Sequence, residues 1–313
     1  MAESLPTPSD AAEAAREALG WTRVDGVRRF TTGLAFFVFE VRSGAEIAVI
    51  RLGVPAQREV LRHGLALWER LRPLGIPLPR LLADGTGRPL PYVAMERLAG
   101  RDLGEAIAGL DSDPLRRIAR DIAEAQRRTA TLGPAPGYGY APRPELAPHA
   151  NWAEVVQANL ERSHRRLIAH GLFDPRHAER LRRQFDRLAP ALAAQAATPF
   201  LHDTTTKNVI VSPEGTFSGI VDVDDLCFGD PRYAIGLTRA ALLSLEQPTD
   251  YADAWLAQSG LADDAVLAFY TPLFLLDFMS EHGAGFNGNQ APSQPGERAR
   301  LEAIFVSALR RLE

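Results

Sequence analysis

Residues 201–231 read LHDTTTKNVIVSPEGTFSGIVDVDDLCFGDP, and this stretch decides the fold. Asp203 stands five positions before Asn208. Val209-Ile210-Val211 is a short apolar run, Pro213-Glu214-Gly215 a turn, and Phe217 to Val221 a second run that ends at Asp222. Two such runs joined by a Gly-containing turn read as a β-hairpin. The hairpin sets Asn208 and Asp222 at its two ends, with Asp203 in the loop before it. An amide oxygen and a carboxylate are hard ligands of the kind that Mg²⁺ takes. A loop carboxylate can accept a hydroxyl proton. The layout suits metal-dependent phosphoryl transfer. Each residue alone has a plainer reading: a solvated loop Asp, an Asx-turn, a strand-end carboxylate. Their joint spacing favours the chemical one.

Working outward, residues 21–52 alternate strand-like runs with turns. Phe36 to Val41 and Glu46 to Arg51 are rich in β-branched and aromatic residues, with Ser43-Gly44 between them. Residues 56–72 read as a helix with Leu61, Leu65 and Trp68 on one apolar face. Leu81 to Ala83 and Pro91 to Met95 read as two more strands. After Gly100 the pattern is helical. Asp113-Pro114, Asp174-Pro175, Asp230-Pro231 and Thr271-Pro272 each offer an N-cap followed by proline at the first helical position. Asp230 is assigned to that structural role. The N-terminal segment reads as an Ala-rich helix capped by Ser9 or Asp10. Residues 133–148 and 283–296 read as loops, and residues 151–196 as two helices broken near Gly171. The expected domains are a β-rich lobe over 1–95, a hinge over 96–100 and a helical lobe over 101–313.

Composition narrows the function. The chain has 313 residues, 46% hydrophobic and 24% charged, which is ordinary for a globular protein of one large domain or two lobes. A net charge of −4 argues against a nucleic-acid partner. The single cysteine, Cys227, excludes an internal disulfide framework and suits a reducing compartment, read as the cytoplasm. No apolar stretch approaches the ~18 residues that span a bilayer.

The motifs resemble those of the aminoglycoside phosphotransferase family, small-molecule kinases that share the protein-kinase fold. The family pattern is His-Gly-Asp-x4-Asn, hairpin, Asp, Gly-Asp-Pro. The chain shows His202-Asp203, Asn208, Asp222 and Gly229-Asp230-Pro231. Pro91 to Leu103 is similar to its strand, hinge and Gly-Arg-Asp-Leu turn, and Thr31-Thr32-Gly33-Leu34-Ala35 to its nucleotide loop. The likeness runs in order over roughly residues 25–235. It implies an α+β, bilobal protein-kinase-like fold, with a small antiparallel sheet carrying one main helix and a larger helical lobe. It also implies Mg²⁺ as cofactor, ATP or GTP as phosphoryl donor and a small hydroxylated molecule as acceptor.

The resemblance assigns roles by position. Asp203 becomes the catalytic base, and Asn208 and Asp222 the metal ligands. Lys207 either reaches the transferred phosphoryl group or is a surface lysine. Thr31, Thr32 and Gly33 approach the nucleotide phosphates. Arg51 stands where this fold usually has a strand lysine, and the resemblance allows arginine there. Glu59 is its expected ion-pair partner, with Glu69 as competitor and a surface salt bridge as the plainer reading. Backbone groups near Glu96 and Leu98 are expected to meet the adenine. One departure is that His202 precedes Asp203 with no intervening glycine.

The acceptor site is the least visible. Asp225, Asp277 and Glu281 are its candidate contacts, Asp277 and Glu281 sharing one helical face. An alternative for that pair is an ion pair with a nearby arginine. Trp152, His282 and Asn287 are further candidates for the same pocket. Between Asp250 and Glu281 the chain has six acidic residues (Asp250, Asp253, Asp263, Asp264, Asp277, Glu281) and no Lys or Arg, which fits a cationic acceptor such as an aminoglycoside. The competing function is a non-catalytic nucleotide-binding regulator on the same fold. A protein kinase is disfavoured by the missing Ala-Pro-Glu motif and the short link after Asp222. Oligomeric state is left open.

Overall fold

The computed structural model describes residues 5–30, 35–284 and 293–313. Its first part is a five-stranded antiparallel sheet of β1 (Gly26–Arg29), β2 (Phe37–Ser43), β3 (Glu46–Leu52), β4 (Leu81–Gly85) and β5 (Tyr92–Glu96), in the order β1-β2-β3-β5-β4. Side chains alternate across the sheet, as the two-residue period requires. Phe37, Phe39, Val41, Ile50 and Ala94 bury one face against helix α1 (Pro8–Leu19), which brings Ala11, Ala14 and Ala15. Val49, Val93 and Met95 bury the other against Leu61 of α2 (Arg58–Leu71). Arg51, two residues after Val49 on β3, therefore points to the α2 side. The N-cap of α1 is Thr7 and not Ser9 or Asp10. Thr7 and Asp10 form a reciprocal capping box, with Pro8 in the first turn.

A short strand β6 (Arg101–Asp102) and helix α3 (Leu103–Ala106) lead into α4 (Ser112–Ala130). The expected loop before residue 148 contains a strand, β7 (Gly139–Ala141). Helix α5 (Trp152–His170) ends at left-handed Gly171, and α6 (Arg176–Ala193) follows. Strand β8 (Thr198–Phe200) precedes the hairpin of β9 (Val209–Val211) and β10 (Phe217–Ile220), and β11 (Leu226–Gly229) comes after it. Two small antiparallel sheets result, in the orders β10-β9-β6 and β7-β11-β8. Helices α7 (Arg232–Ser244), α8 (Asp250–Ser259), α9 (Ala265–Glu281) and α10 (Pro295–Arg310) complete the helical part around the largest core. The fold is thus α+β and kinase-like.

Thr271-Pro272 is not a helix start. Both lie inside α9, whose N-cap is Asp264, accepting from the amides of Val266 at 3.0 Å and Leu267 at 3.1 Å. The local Thr-Pro signal loses because an earlier residue already caps the helix. Asp230 is structural as read, but it stands one residue before the N-cap, which is Pro231, so the proline precedes the first helical position. The Asp230 carboxylate accepts from the Arg232 amide at 3.0 Å, from the Arg232 guanidinium and from the Tyr270 hydroxyl at 2.7 Å, all within the core. Among the described residues no helix is long and apolar enough to cross a membrane.

One buried charge ties the sheet to the segment after it. Glu40 on β2 is 4% exposed and takes Arg28, Arg42 and Arg97. Burial pushes its carboxyl up, but bonds from Arg42, Arg97 and Arg28 outweigh that and bring the pKa down to about 2. The ionised form is therefore stabilised by folding, and that contribution is present above the unfolded value near 4.5 and lost as pH falls toward 2. Replacing Glu40 by Gln should cost ~2 kcal/mol at pH 7, less than the full shift implies, because Arg28 and Arg42 are largely exposed. Urea unfolding of both proteins at pH 7 and at pH 3.5 checks this. The gap between them should narrow at the lower pH, and a constant gap would contradict it.

Candidate active site

The hairpin puts its ends together as its sequence implies. Val209 pairs with Ile220, and the Val221 amide donates to the Asn208 carbonyl at 2.9 Å. Asp222 is the next residue. Its φ of 60° lies in the left-handed region, which costs a non-glycine residue free energy and concentrates at functional sites. Its side chain is half-exposed. Burial, opposed by Arg51 and reinforced by the Asp224 and Asp203 carboxylates, raises its pKa. A clustered set of carboxylates of this kind favours a cation.

Asn208 is buried, and its Nδ2 donates to the Asp203 carbonyl at 2.9 Å. With the nitrogen committed to the loop, the side chain has its oxygen left to offer. Asp203 Oδ1 accepts from the Thr205 hydroxyl at 2.9 Å, and Oδ2 faces Lys207 Nζ at 3.3 Å. Burial raises the Asp203 pKa, but Lys207, His202 and Thr205 together bring it below its ordinary value. Burial depresses the Lys207 ammonium, and Asp203 with Asp222 more than restores it. Asp203 is thus an anion at neutral pH, held in place and weakly basic. That suits a carboxylate that orients a hydroxyl and takes its proton late in a loose transition state.

One residue that the sequence reading missed holds this loop. Gln126 of α4 reads both backbone groups of Leu201, donating to its carbonyl at 2.7 Å and accepting from its amide at 2.9 Å. Gln126 Nε2 also lies 3.1 Å from the Thr204 hydroxyl. Asp224, whose role the sequence leaves open, meets Arg51. His202 packs edge-on to Tyr140 at 4.7 Å, and its Nδ1 is buried without a partner among the described residues. Burial lowers its pKa against the pull of Asp203, Asp225 and Asp222, so the ring is neutral at physiological pH.

Arg51 is 11% exposed and lies 4.0 Å above the Phe36 ring. Its guanidinium donates to both oxygens of Asp224, Nη1 to Oδ1 at 2.5 Å, and to Asp222 Oδ1 at 3.1 Å. The expected partner, Glu59, is not used. It is exposed and pairs with Arg62 at 2.7 Å. The reason is helical geometry. Glu59 lies two residues before Leu61, about 160° around α2 from the buried face. Glu69, the competitor, is also on the exposed side. Thr31, Thr32 and Gly33 lie outside the described residues. In the hinge segment, the Glu96 amide donates to the Arg80 carbonyl at 2.8 Å, so that donor is already spent. The Leu98 carbonyl accepts from the Arg97 guanidinium.

Asp277 and Glu281, candidates for an acidic acceptor face, stand beside arginines, as their alternative reading has it. Asp277 is 13% exposed, accepts from Arg162 at 2.9 Å and Ser163 at 2.9 Å, and lies 3.8 Å from Arg166. Glu281 lies 3.8 Å from the same Arg166, and burial then Asp277 raise its pKa. Asp253 and Asp263 face Arg239, and Asp264 faces Arg232. The acid-rich stretch is thus largely neutralised by arginines from α5 and α7. Trp152 is fully buried, its indole donating to Tyr270 at 2.7 Å, so it lines no pocket. His282 Nδ1 bonds the Ser293 hydroxyl at 2.9 Å. Asn287 lies outside the described residues. Asp225 sits near His202 and His63, its carboxyl pushed up by burial more than they pull it down.

Among the described residues no three His, Cys, Asp or Glu side chains gather to hold a metal by themselves. The Asn208 amide oxygen and the Asp222 carboxylate are hard oxygens of the kind that Mg²⁺ takes, two in number, so other oxygens would have to complete a site there.

Because Asp222 carries both a raised pKa and a strained backbone, glycine at that position should relieve the strain. Asp222→Gly is expected to raise or preserve thermal stability while abolishing any tight divalent-cation-dependent ligand binding. A melting scan with and without Mg²⁺ and nucleotide reads both effects. A variant that melts lower and still responds to Mg²⁺ would contradict it.

A family model described as the phosphotransferase enzyme family matches residues 26–270. No curated protein matches the chain in sequence. Among solved structures, aminoglycoside phosphotransferase APH(4)-Ia superposes with a TM-score of 0.67 at 16% identity, over 97% of this chain and 99% of that one. The streptomycin–ATP complex of APH(2")-IIa gives 0.62 at 13% identity, over 98% and 97%. A Haemophilus somnus protein assigned provisionally as a fructosamine-3-kinase gives 0.62 at 13% identity, over 94% and 96%.

Proposed function

Because the chain belongs to the phosphotransferase enzyme family, we propose that it transfers the γ-phosphoryl group of ATP or GTP to a hydroxyl of a small molecule. The observation that carries this is that Arg51 of β3 bonds Asp222, at the end of the hairpin whose other end carries Asn208. The Asn208 side chain bonds the Asp203 backbone carbonyl and its own carbonyl takes the Val221 amide, so one loop and one hairpin hold all three. A non-catalytic regulator has no need to keep the carboxylate of Asp203 oriented from both oxygens. The solved neighbours add support, since one binds streptomycin together with ATP.

In this reading Asp203 orients the acceptor hydroxyl and receives its proton as the new P–O bond forms. Lys207, held beside Asp203, offsets charge on the group in flight. Arg51 meets the donor phosphates with donors not spent on carboxylates. Asn208 and Asp222 hold Mg²⁺, which when bound neutralises charge on the phosphate oxygens. The arginine-paired Asp277 and Glu281 weaken the case for a polycationic acceptor, and the acceptor class is open to hydroxylated molecules of any charge.

The test is nucleotide consumption against a panel of aminoglycosides, other hydroxylated antibiotics, sugars and amino alcohols. Asp203→Asn should lower turnover by ~10² or more and leave nucleotide affinity within about threefold. Turnover that survives in this variant removes Asp203 as the base. Tight nucleotide binding without turnover on any acceptor favours the regulator instead.

A further inference from the structure

The kinase arrangement needs an acid beside the strand cation, and α2 does not supply one. The residues that α2 turns toward β3 are Leu61, Gly64, Leu65 and Trp68, which line a crevice with Arg51 and Asp224. None carries a charge. The position facing Asp224 is Gly64, and a Cβ there would stand 3.0 Å from Asp224 Oδ1. The glycine therefore leaves room for a carboxylate that arrives from outside the helix. Asp224 fills that room and takes both terminal nitrogens of Arg51.

We propose that Asp224 is the positioning residue for Arg51, replacing the helix glutamate, and that Gly64 exists to admit it. This rests on the nucleotide site proposed above. Two carboxylates share Arg51, and their roles divide. Asp222 makes one contact at 3.1 Å and is half-exposed. Asp224 makes the two-point contact and is more buried. A bidentate fork fixes the guanidinium plane as well as its position, which one contact does not. Asp222 is then free to turn to a cation while Asp224 keeps Arg51 in place. Arg51 Nε is buried with no partner among the described residues, and the outer Nη hydrogens are not spent on the Asp224 fork. The outer Nη1 hydrogen, and that of Nη2 once Asp222 turns to a cation, are what a phosphate oxygen would meet. The plane is also fixed from below by the Phe36 ring. The short two-residue spacing from Asp222 to Asp224 makes the arrangement possible, because Val223 between them buries into the core and sends the two carboxylates to the same cation.

The experiment measures ADP affinity by titration calorimetry, with Mg²⁺ and with a chelator, on the full chain. Asp224→Asn should weaken ADP binding ~10-fold under both conditions. In an Arg51→Gln background the same change should alter affinity by less than about twofold, because its effect runs through Arg51. Glu59→Gln should be silent. Full additivity of Asp224→Asn and Arg51→Gln would overturn the proposal. So would an effect confined to Mg²⁺, which would make Asp224 a metal ligand, or an equal loss in Glu59→Gln. Should Asp224→Asn fail to fold, Gly64→Ala carries the test. It improves the helix by up to ~1 kcal/mol while its methyl crowds the Asp224 carboxylate. It should melt no lower than the parent yet bind ADP ~3-fold more weakly, and unchanged affinity overturns the proposal. If the parent protein binds no ADP at all, the nucleotide site falls and this inference with it.

Discussion

The guanidinium of Arg51 between Asp222 and Asp224 is the interaction on which the site depends. It is the point where β3 of the sheet meets the segment that follows the β9–β10 hairpin, 171 residues on. Arg51 is 11% exposed, so its charge has little water to fall back on. Removing one partner of a buried pair typically costs about 3–5 kcal/mol, mostly because a charge is left without compensation. Replacing such a pair by apolar groups is often neutral, so its retention is better explained by placement than by stability. Here it places a cation beside a half-exposed carboxylate, at the end of the hairpin that carries Asn208.

The rest of the fold arranges itself around that opening. Alternation along β3 sends Val49 and Arg51 to one face and Ile50 to the other, so the cation necessarily points to the α2 side. The hairpin backbone bond from Val221 to Asn208 fixes where the carboxylate and the amide stand. Gln126 clamps Leu201, two residues before Asp203, and anchors the loop to α4. Beneath them Asp230 gathers Arg232 and Tyr270, and Tyr270 takes the Trp152 indole, so the loop rests on a satisfied polar network within the core.

What was legible in the sequence was what is local. Asp203, Asn208 and Asp222 lie within one loop and one hairpin, so their spacing alone sets their geometry. The kinase-like fold followed from the order of such local pieces. What was not legible depends on pairing across the chain. The Arg162–Asp277 contact joins residues 115 apart, and no local pattern announces it. An acid-rich stretch that in sequence fits a cationic acceptor is therefore paired in the structure with arginines from other helices. Two misreadings had a visible signal. Glu59 is off the Leu61–Leu65–Trp68 face by helical arithmetic, and Gly64 sits on that face as the one small residue. Thr271-Pro272 resembled a helix start, but Asp264 lay upstream with a run of apolar residues after it.

The proposed function turns on one cation site formed by Asn208 and Asp222 beside Arg51. Crystals grown with ADP and Mn²⁺ and measured at the manganese absorption edge test it most directly. The account predicts an anomalous peak at about 2.1 Å from Asn208 Oδ1 and from an Asp222 oxygen, with the nucleotide phosphates on the same ion. A peak bonded to neither residue, with ADP nevertheless bound in the cleft, would contradict it.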